Sequence, residues 1–322
     1  MIFSRKNVLV FLLTAILIVV AFLLWPVKEN IANFNPVVQK EISAKIMFVG
    51  DLMFDRGIRY YASKNGGNTF IFEKINPLLL ENDLVVANLE GPITDNKSIS
   101  LGTIPGSTNN YYFTFNPSLV KNLFDNNIKI VNLGNNHIEN FKREGVYSTE
   151  KYLDEGKIGY FNAPNGPRSV STKINDIKVT FVGYNQFSAL AQKIEEKSTI
   201  EEIEKAKGFS DIIIVYSHWG EEYLPNPTPA VRNTAHNLID AGADLVIGSH
   251  SHVIGEIETY KNKKIYYSLG NFIFDQHFDE NVRNGLGVVV QIKKDAQTSA
   301  FELNFEEKHF YLESSGQTII KE

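Results

Sequence analysis

His250 and His252 stand one serine apart, directly after the apolar run Leu245–Ile247 and Gly248. Such a run reads as a strand, and a strand that stops at glycine and delivers His-x-His to its tip is a metal-ligand loop. Alternate residues share a face within a strand, and just past its end both imidazoles can turn inward. The arrangement repeats along the chain. Asp51 follows Ile46–Val49 and Gly50, and Asn88 and Glu90 close the run Leu84–Ala87. Asn136 and His137 follow Ile128–Leu133, and His218 follows Ile212–Tyr216. In open α/β sheets, sites gather outside the carboxyl ends of strands. Any one of these residues alone reads as a cap or a loop residue. Five strand ends that each carry one read as a single site.

The donor types narrow the chemistry. Carboxylate, amide oxygen and imidazole suit borderline divalent ions such as Mn, Zn or Fe. The chain has no cysteine, which excludes thiolate ligands, thiolate catalysis and disulfides. Two ions sharing a bridging carboxylate would make a two-metal hydrolytic centre. His137 is the candidate to protonate a leaving group from outside the ligand set. His236 lies in mid-helix, and His277 and His309 lack a strand end before them. These three read as packing or surface residues.

The elements that must position these groups are legible as runs. A length of 322 residues suffices for a large core. The net charge of -5, with no basic stripe, argues against nucleic acid. Helices are expected over Phe72–Leu80, from Asn116-Pro117 to Asp125, over Glu144–Asp154 and over Pro229–Ala241 with Gly242 as its stop. Lys193–Lys207 reads as a solvated helix or a lid. Hairpins are expected around Asn175-Asp176 and between Ile254–Tyr260 and Lys263–Tyr267. Residues 94–112 are rich in Asn, Ser, Thr and Gly and read as a surface loop. Leu286–Ile292 and Phe301–Phe305 add strands, the last ~25 residues reading as a C-terminal β extension.

The amino terminus carries a different signal. Arg5 and Lys6 precede the uncharged segment Val8–Trp25, which at 1.5 Å per residue spans about 27 Å, near the hydrocarbon thickness of a bilayer. Trp25-Pro26-Val27-Lys28-Glu29 is a poor cleavage site, so the segment reads as an uncleaved signal anchor rather than a removed leader. The basic pair places the short N-terminus in the cytoplasm and the remainder outside. The expected organisation is a stub and anchor over 1–27, a tether over 28–44 and one domain over 45–322. The expected location is the cell membrane, with a single pass.

Six motifs together carry a resemblance. Gly50-Asp-Leu-Met-Phe-Asp-Arg56, Val86-Ala-Asn-Leu-Glu90, Leu133-Gly-Asn-Asn-His137, Ser217-His-Trp-Gly-Glu-Glu-Tyr223, Gly242–His252 and Tyr267-Ser-Leu-Gly-Asn-Phe272 resemble the capsule-synthesis CapA family, within the calcineurin-like metallophosphatase superfamily. The resemblance spans roughly residues 45–290. It implies an α/β fold, a metallophosphatase-like sandwich of two mixed β-sheets flanked by helices. It also implies two divalent ions held by Asp51, Glu90, Asn136, His218, His250 and His252, with His137 beside them as catalytic residue. Arg56 and Asn88 are then expected to bind an anionic phosphate or polyglutamate carboxylate, a surface ion pair being the competing role for Arg56. Glu222 and Asn271 are expected to support the ligands from behind.

The chain departs from the superfamily pattern in three places. Met53 stands where an Asp-x-His motif has its histidine. Glu90 stands where a bridging aspartate is usual. Asn140 replaces a carboxylate that would orient His137. Two functions remain open at this stage. One is metal-dependent hydrolysis or transfer at a phosphoester or γ-glutamyl bond of a cell-surface polymer. The other is an accessory subunit that binds nascent polyanion beside membrane polymer-synthase subunits. Poly-γ-glutamate is the polymer that the resemblance implies.

Overall fold

The computed structural model describes Val10, Thr14–Val20, residues 42–295, Thr298 and residues 300–321. Met1–Lys40 and Glu41–Glu322 form separate units. In the first, Thr14–Val20 is helical and exposed. No helix among the described residues is long and apolar enough to cross a membrane; most of the run Val8–Trp25, and most of the tether, lie outside them.

The second unit is built on two sheets. β1 (Ile42–Leu52), β2 (Leu84–Leu89), β3 (Ile128–Asn132) and β4 (Gly159–Phe161) run parallel in that order. On the other side of β1 lie β12 (Asn284–Lys294), β13 (Phe301–Leu312) and β14 (Thr318–Ile320), all antiparallel to their neighbours. A short strand, β11 (Asn271–Ile273), joins the carboxyl end of β1. The second sheet has the order β5 (Ser169–Ile174), β6 (Ile177–Asn185), β7 (Ile212–His218), β8 (Leu245–Ser249), β10 (Lys263–Tyr266) and β9 (Ile257–Tyr260). Its four inner strands are parallel and its two edges antiparallel.

Side-chain alternation stacks the layers. Ile46 and Phe48 of β1 point into a core shared with Phe181, Ile214 and Ile247 of the second sheet. Met47 and Val49 point the other way, onto Ile58 of α1 (Arg56–Lys64), Leu79 of α3 (Asn76–Leu80), Leu123 of α4 (Leu119–Asp125) and Val146 of α5 (Lys142–Glu155). The outer face of the second sheet buries Val215 and Val246 against Ile203 of α6 (Gln192–Ala206) and Leu238 of α7 (Pro229–Ala241). The period of two in the strands thus gives each sheet two buried faces. Helix, sheet, sheet and helix follow one another.

Local departures from the sequence reading have simple causes. The single helix expected over Phe72–Leu80 is two, α2 (Asn68–Phe72) and α3, because Pro77 occupies the first turn of the second. Lys193–Lys207 is no lid: its Ile203 and Ala206 pack on the second sheet. The C-terminal strands belong to the first sheet, where Phe310 and Leu312 enter the core.

Candidate metal centre

The parallel strands present their carboxyl ends to one place. Gly50 permits the first placement: a Cβ there would meet the Gly270 carbonyl oxygen at 1.8 Å. The bare backbone lets β1 close on β11, and Asp51 N–H donates to that oxygen at 3.1 Å. The Tyr216 hydroxyl of β7 donates to the Val49 carbonyl at 2.6 Å inside the inter-sheet core. That bond ties the strand bearing His218 to the strand bearing Asp51. His250 and His252 both adopt positive φ, 97° and 58°. Such backbone is costly for non-glycine residues and persists where surrounding structure enforces it, as at functional sites.

Asp51, Glu90 and His252 are buried and offer ligand atoms all within 4.8 Å of one another. His252 Nδ1 lies 3.4 Å from Asp51 Oδ2, and its Nε2 lies 3.7 Å from Glu90 Oε1. The Asn88 amide spans the two carboxylates, donating to Asp51 Oδ1 at 2.8 Å and to Glu90 Oε2 at 3.4 Å. Glu90 Oε1, although buried, has no hydrogen-bond partner. An ionised carboxylate oxygen is a costly group to leave so. Burial, and then the neighbouring Asp51 charge, push the Glu90 carboxyl well above its usual range.

Beside this trio lies a second. His218 Nε2 is 2.9 Å from Asn136 Oδ1 and 3.2 Å from His250 Nδ1. The Ser249 hydroxyl donates to the Ser217 carbonyl at 3.0 Å and lies 2.9 Å from His218 Nδ1, with the Asn88 amide nitrogen 3.3 Å from the same atom. Burial holds the His218 imidazole well below its ordinary pKa and that of His250 down to about 3, so both rings are neutral. Neutral imidazoles and an amide oxygen converging beside two carboxylates are a donor set that suits a divalent cation. The residues present fit such an ion.

His137 stands 3.9 Å from Glu90 Oε1 through Nε2. Its ring packs on Phe113, and its Nδ1 is 3.2 Å from Asn140 Oδ1. That oxygen also accepts from the Phe113 N–H at 2.8 Å, which fixes the amide's orientation and makes Nδ1 the donor. The orienting role of the missing carboxylate is therefore filled by Asn140 itself. Burial lowers the His137 pKa to about 4. At rest its Nε2 is a lone pair, so it can hand on only a proton it has first taken up.

The remaining expected residues occupy different stations. Asn271 Oδ1 meets His252 Nδ1 at 2.9 Å, and Asn271 donates in turn to the Val282 carbonyl. Asn88 is fully buried rather than open to substrate; its Oδ1 accepts from Asn132 and Asn135. Arg56 forms no surface pair: it is largely buried, paired with Asp275, and its guanidinium sits over Phe113 and Phe274 at 4.9 and 5.4 Å. Its Nε is buried without a partner. Glu222 is exposed, and its charge acts on Glu90. Met53, in the place of the absent histidine, is buried, and its sulfur accepts from Asp55 N–H. His236 bonds Glu258 and stacks on Tyr260. Sequence reasoning missed Ser249, Asn135, Phe187 and Asp275. The first two lie inside motifs already singled out, and Phe187, 4.2 Å from His250 between ring centroids, had no signal.

The bacterial capsule synthesis protein family, PGA_cap, matches residues 45–276. The chain belongs to this family. It is 29% identical over 316 residues to the PGA biosynthesis protein CapA of Bacillus subtilis (strain 168), covering 93% of this chain and 80% of that one. It is 30% identical over 262 residues to the capsule biosynthesis protein CapA of Bacillus anthracis, covering 75% of this chain and 62% of that protein. Among solved structures, TT1561 of Thermus thermophilus aligns with TM-score 0.40 and 10% identity over 81% of this chain and 98% of that one, too loosely to argue from. This PGA_cap chain carries its matched segment across every strand end that supplies the site.

Proposed function

We propose that this PGA_cap chain is a metal-dependent hydrolase or transferase acting on a γ-glutamyl or phosphoester bond of a capsule polymer such as poly-γ-glutamate. The observation that carries the reading is the partnerless, buried Glu90 Oε1 amid Asp51 and His252. Asp51, Glu90 and His252 would hold one divalent ion, and Asn136, His218 and His250 a second beside it. Ions there would supply Lewis-acid polarisation of a carbonyl or phosphoryl oxygen. The chain's own groups do the rest. His137, aligned by Asn140, takes up a proton at Nε2 and returns it to the leaving group. Arg56, with an unspent Nε–H, draws an anionic group toward the site. Phe187 and Phe113 exclude water from the rings they cover.

A second reading has one observation in its favour. With Met53 in place of a histidine, the Asp51 side has a thin donor set, as an accessory subunit that binds polyanion would tolerate. In both readings the Val8–Trp25 segment anchors the chain, the domain works outside the cytoplasm, and membrane polymer-synthase subunits are its neighbours. The test is turnover of γ-glutamyl oligomers and of a phosphodiester by metal-loaded wild type and His250→Ala. Turnover by the first and none by the second is expected. No turnover of either substrate by wild type leaves only the accessory reading.

A further inference from the structure

A cavity of about 530 Å³ lies beside the loop that carries His252, a size typical of ligand pockets. Tyr223, Val253, Asn281, Asn284, His309 and Lys321 line it, and none of the described residues that line it carries a carboxylate. Val253 follows His252 directly, and the Tyr223 ring lies 6.1 Å from the His252 ring. A chain of bonds joins wall to site. Gln276 donates to the Tyr223 hydroxyl at 3.4 Å and accepts from Asn271 at 3.0 Å, and Asn271 holds His252. Exposed Lys321, also in the lining, donates to Asn284 Oδ1 at 2.9 Å, and its backbone N–H donates to the His309 carbonyl at 2.8 Å.

The cavity on the other flank differs in sign. It borders Phe187, holds about 280 Å³, and is lined by Glu139 and Glu195, while its Arg168 is already spent on Glu195 at 2.6 Å. In a chain of net charge -5, the described lining of the cavity beside Tyr223 offers a lysine, a histidine and two amides, all able to meet a carboxylate.

We infer that the cavity beside Tyr223 and Lys321 is a subsite for a carboxylate-bearing chain, holding the residues next to the bond at the metal centre. The identity of that chain rests on the proposed function; the subsite itself rests on the cavity. An extended polyanion leaves the centre past His252, on the side of Lys321 and away from Glu139.

The experiment measures binding of γ-linked glutamate oligomers of increasing length to the metal-loaded full chain, with free glutamate, inorganic phosphate and uncharged γ-linked glutamine oligomers as comparisons. In wild type, affinity should rise with length and level off once the cavity is filled. Lys321→Glu should weaken long glutamate oligomers roughly tenfold or more and leave free glutamate and phosphate unchanged. Asn281→Asp, at another residue of the same lining, serves as a second variant should Lys321→Glu lower the melting temperature. Affinity independent of length, equal loss for free glutamate, or equal binding of the uncharged oligomers would overturn the subsite. Length dependence through Lys321 in a protein that binds no metal would keep the subsite and refute the metal reading. Metal-dependent turnover without length dependence would do the reverse.

Discussion

Among the described residues, two clusters join histidine to carboxylates, and one of them lacks its countercharge. Around Glu258 the groups complete one another. Arg232 donates to Glu256 and Glu258, His236 bonds Glu258 at 2.8 Å, and the Tyr267 hydroxyl donates to Glu258 at 2.7 Å. At the strand ends, Asp51, Glu90 and four imidazoles are packed with Arg56 as their nearby cation, and Arg56 is engaged by Asp275. One carboxylate oxygen there has no partner. The residue types are nearly the same. What separates a structural ion-pair cluster from a candidate metal centre is whether the hydrogen-bond and charge accounts close without an added ion.

The sharpest way to break this contrast is Glu90→Gln. It should weaken metal binding by more than the roughly 10–100-fold that outer partners of ligands cost. It should also raise the melting temperature of the metal-free protein by roughly 2–4 °C, the equivalent of about 1 kcal/mol in a domain of this size, since it removes a buried, uncompensated acid. Calorimetry and thermal melts read both. A drop in metal-free stability would mean that Glu90 is already satisfied.

The pH dependence comes next. Burial holds His250 at about 3 and His137 at about 4, against about 6.5 in an unfolded chain. Between those values the unfolded chain binds protons that the folded rings refuse. Stability is therefore full above about pH 6.5 and falls as pH drops toward 4. The raised Glu90 pKa acts in the opposite sense, so Glu90→Gln isolates the histidines. Melts of that metal-free variant from about pH 7.5 to about pH 4.5 should show a monotonic fall, and a flat profile would put the rings in contact with water. The Tm rise on adding Mn²⁺ to wild type should shrink over the same window, because protons compete for the ligand atoms.

How far the site could be read from the chain follows the same division. The strand ends were legible because apolar β-branched runs stop at Gly50, Gly134 and Gly248, near the residues that matter. Periodicity also gave α7 its bounds, Pro229 to Ala241. Short elements without an apolar run, such as β4 and β11, were not legible, since three-residue strands owe their existence to their neighbours. Nor could spacing tell Asn88 behind the carboxylates from Asn136 in front. That depends on Asn132 and Asn135 claiming the Asn88 oxygen. The role of Asn140 escapes the sequence for a related reason: an amide oxygen orients an imidazole as a carboxylate does, without its charge.

Asn140 supplies a smaller effect. Asn140→Ala should lower turnover roughly tenfold by freeing the His137 tautomer, and Asn140→Asp should restore it; equal loss in both would reduce Asn140 to holding Phe113. Smallest is Arg232→Ala. With its side chain 33% exposed and screened by water, it should cost about 1 kcal/mol, equally with and without metal, in thermal melts. A metal-dependent cost would tie the two clusters together.

The most direct measurement is a calorimetric titration of Mn²⁺ into the metal-stripped full chain, with His250→Ala and His236→Ala alongside. Saturable binding in wild type and in His236→Ala, absent or greatly weakened in His250→Ala, is the result predicted. No binding heat in wild type, or the same isotherm for both histidine variants, would contradict a metal centre at these strand ends.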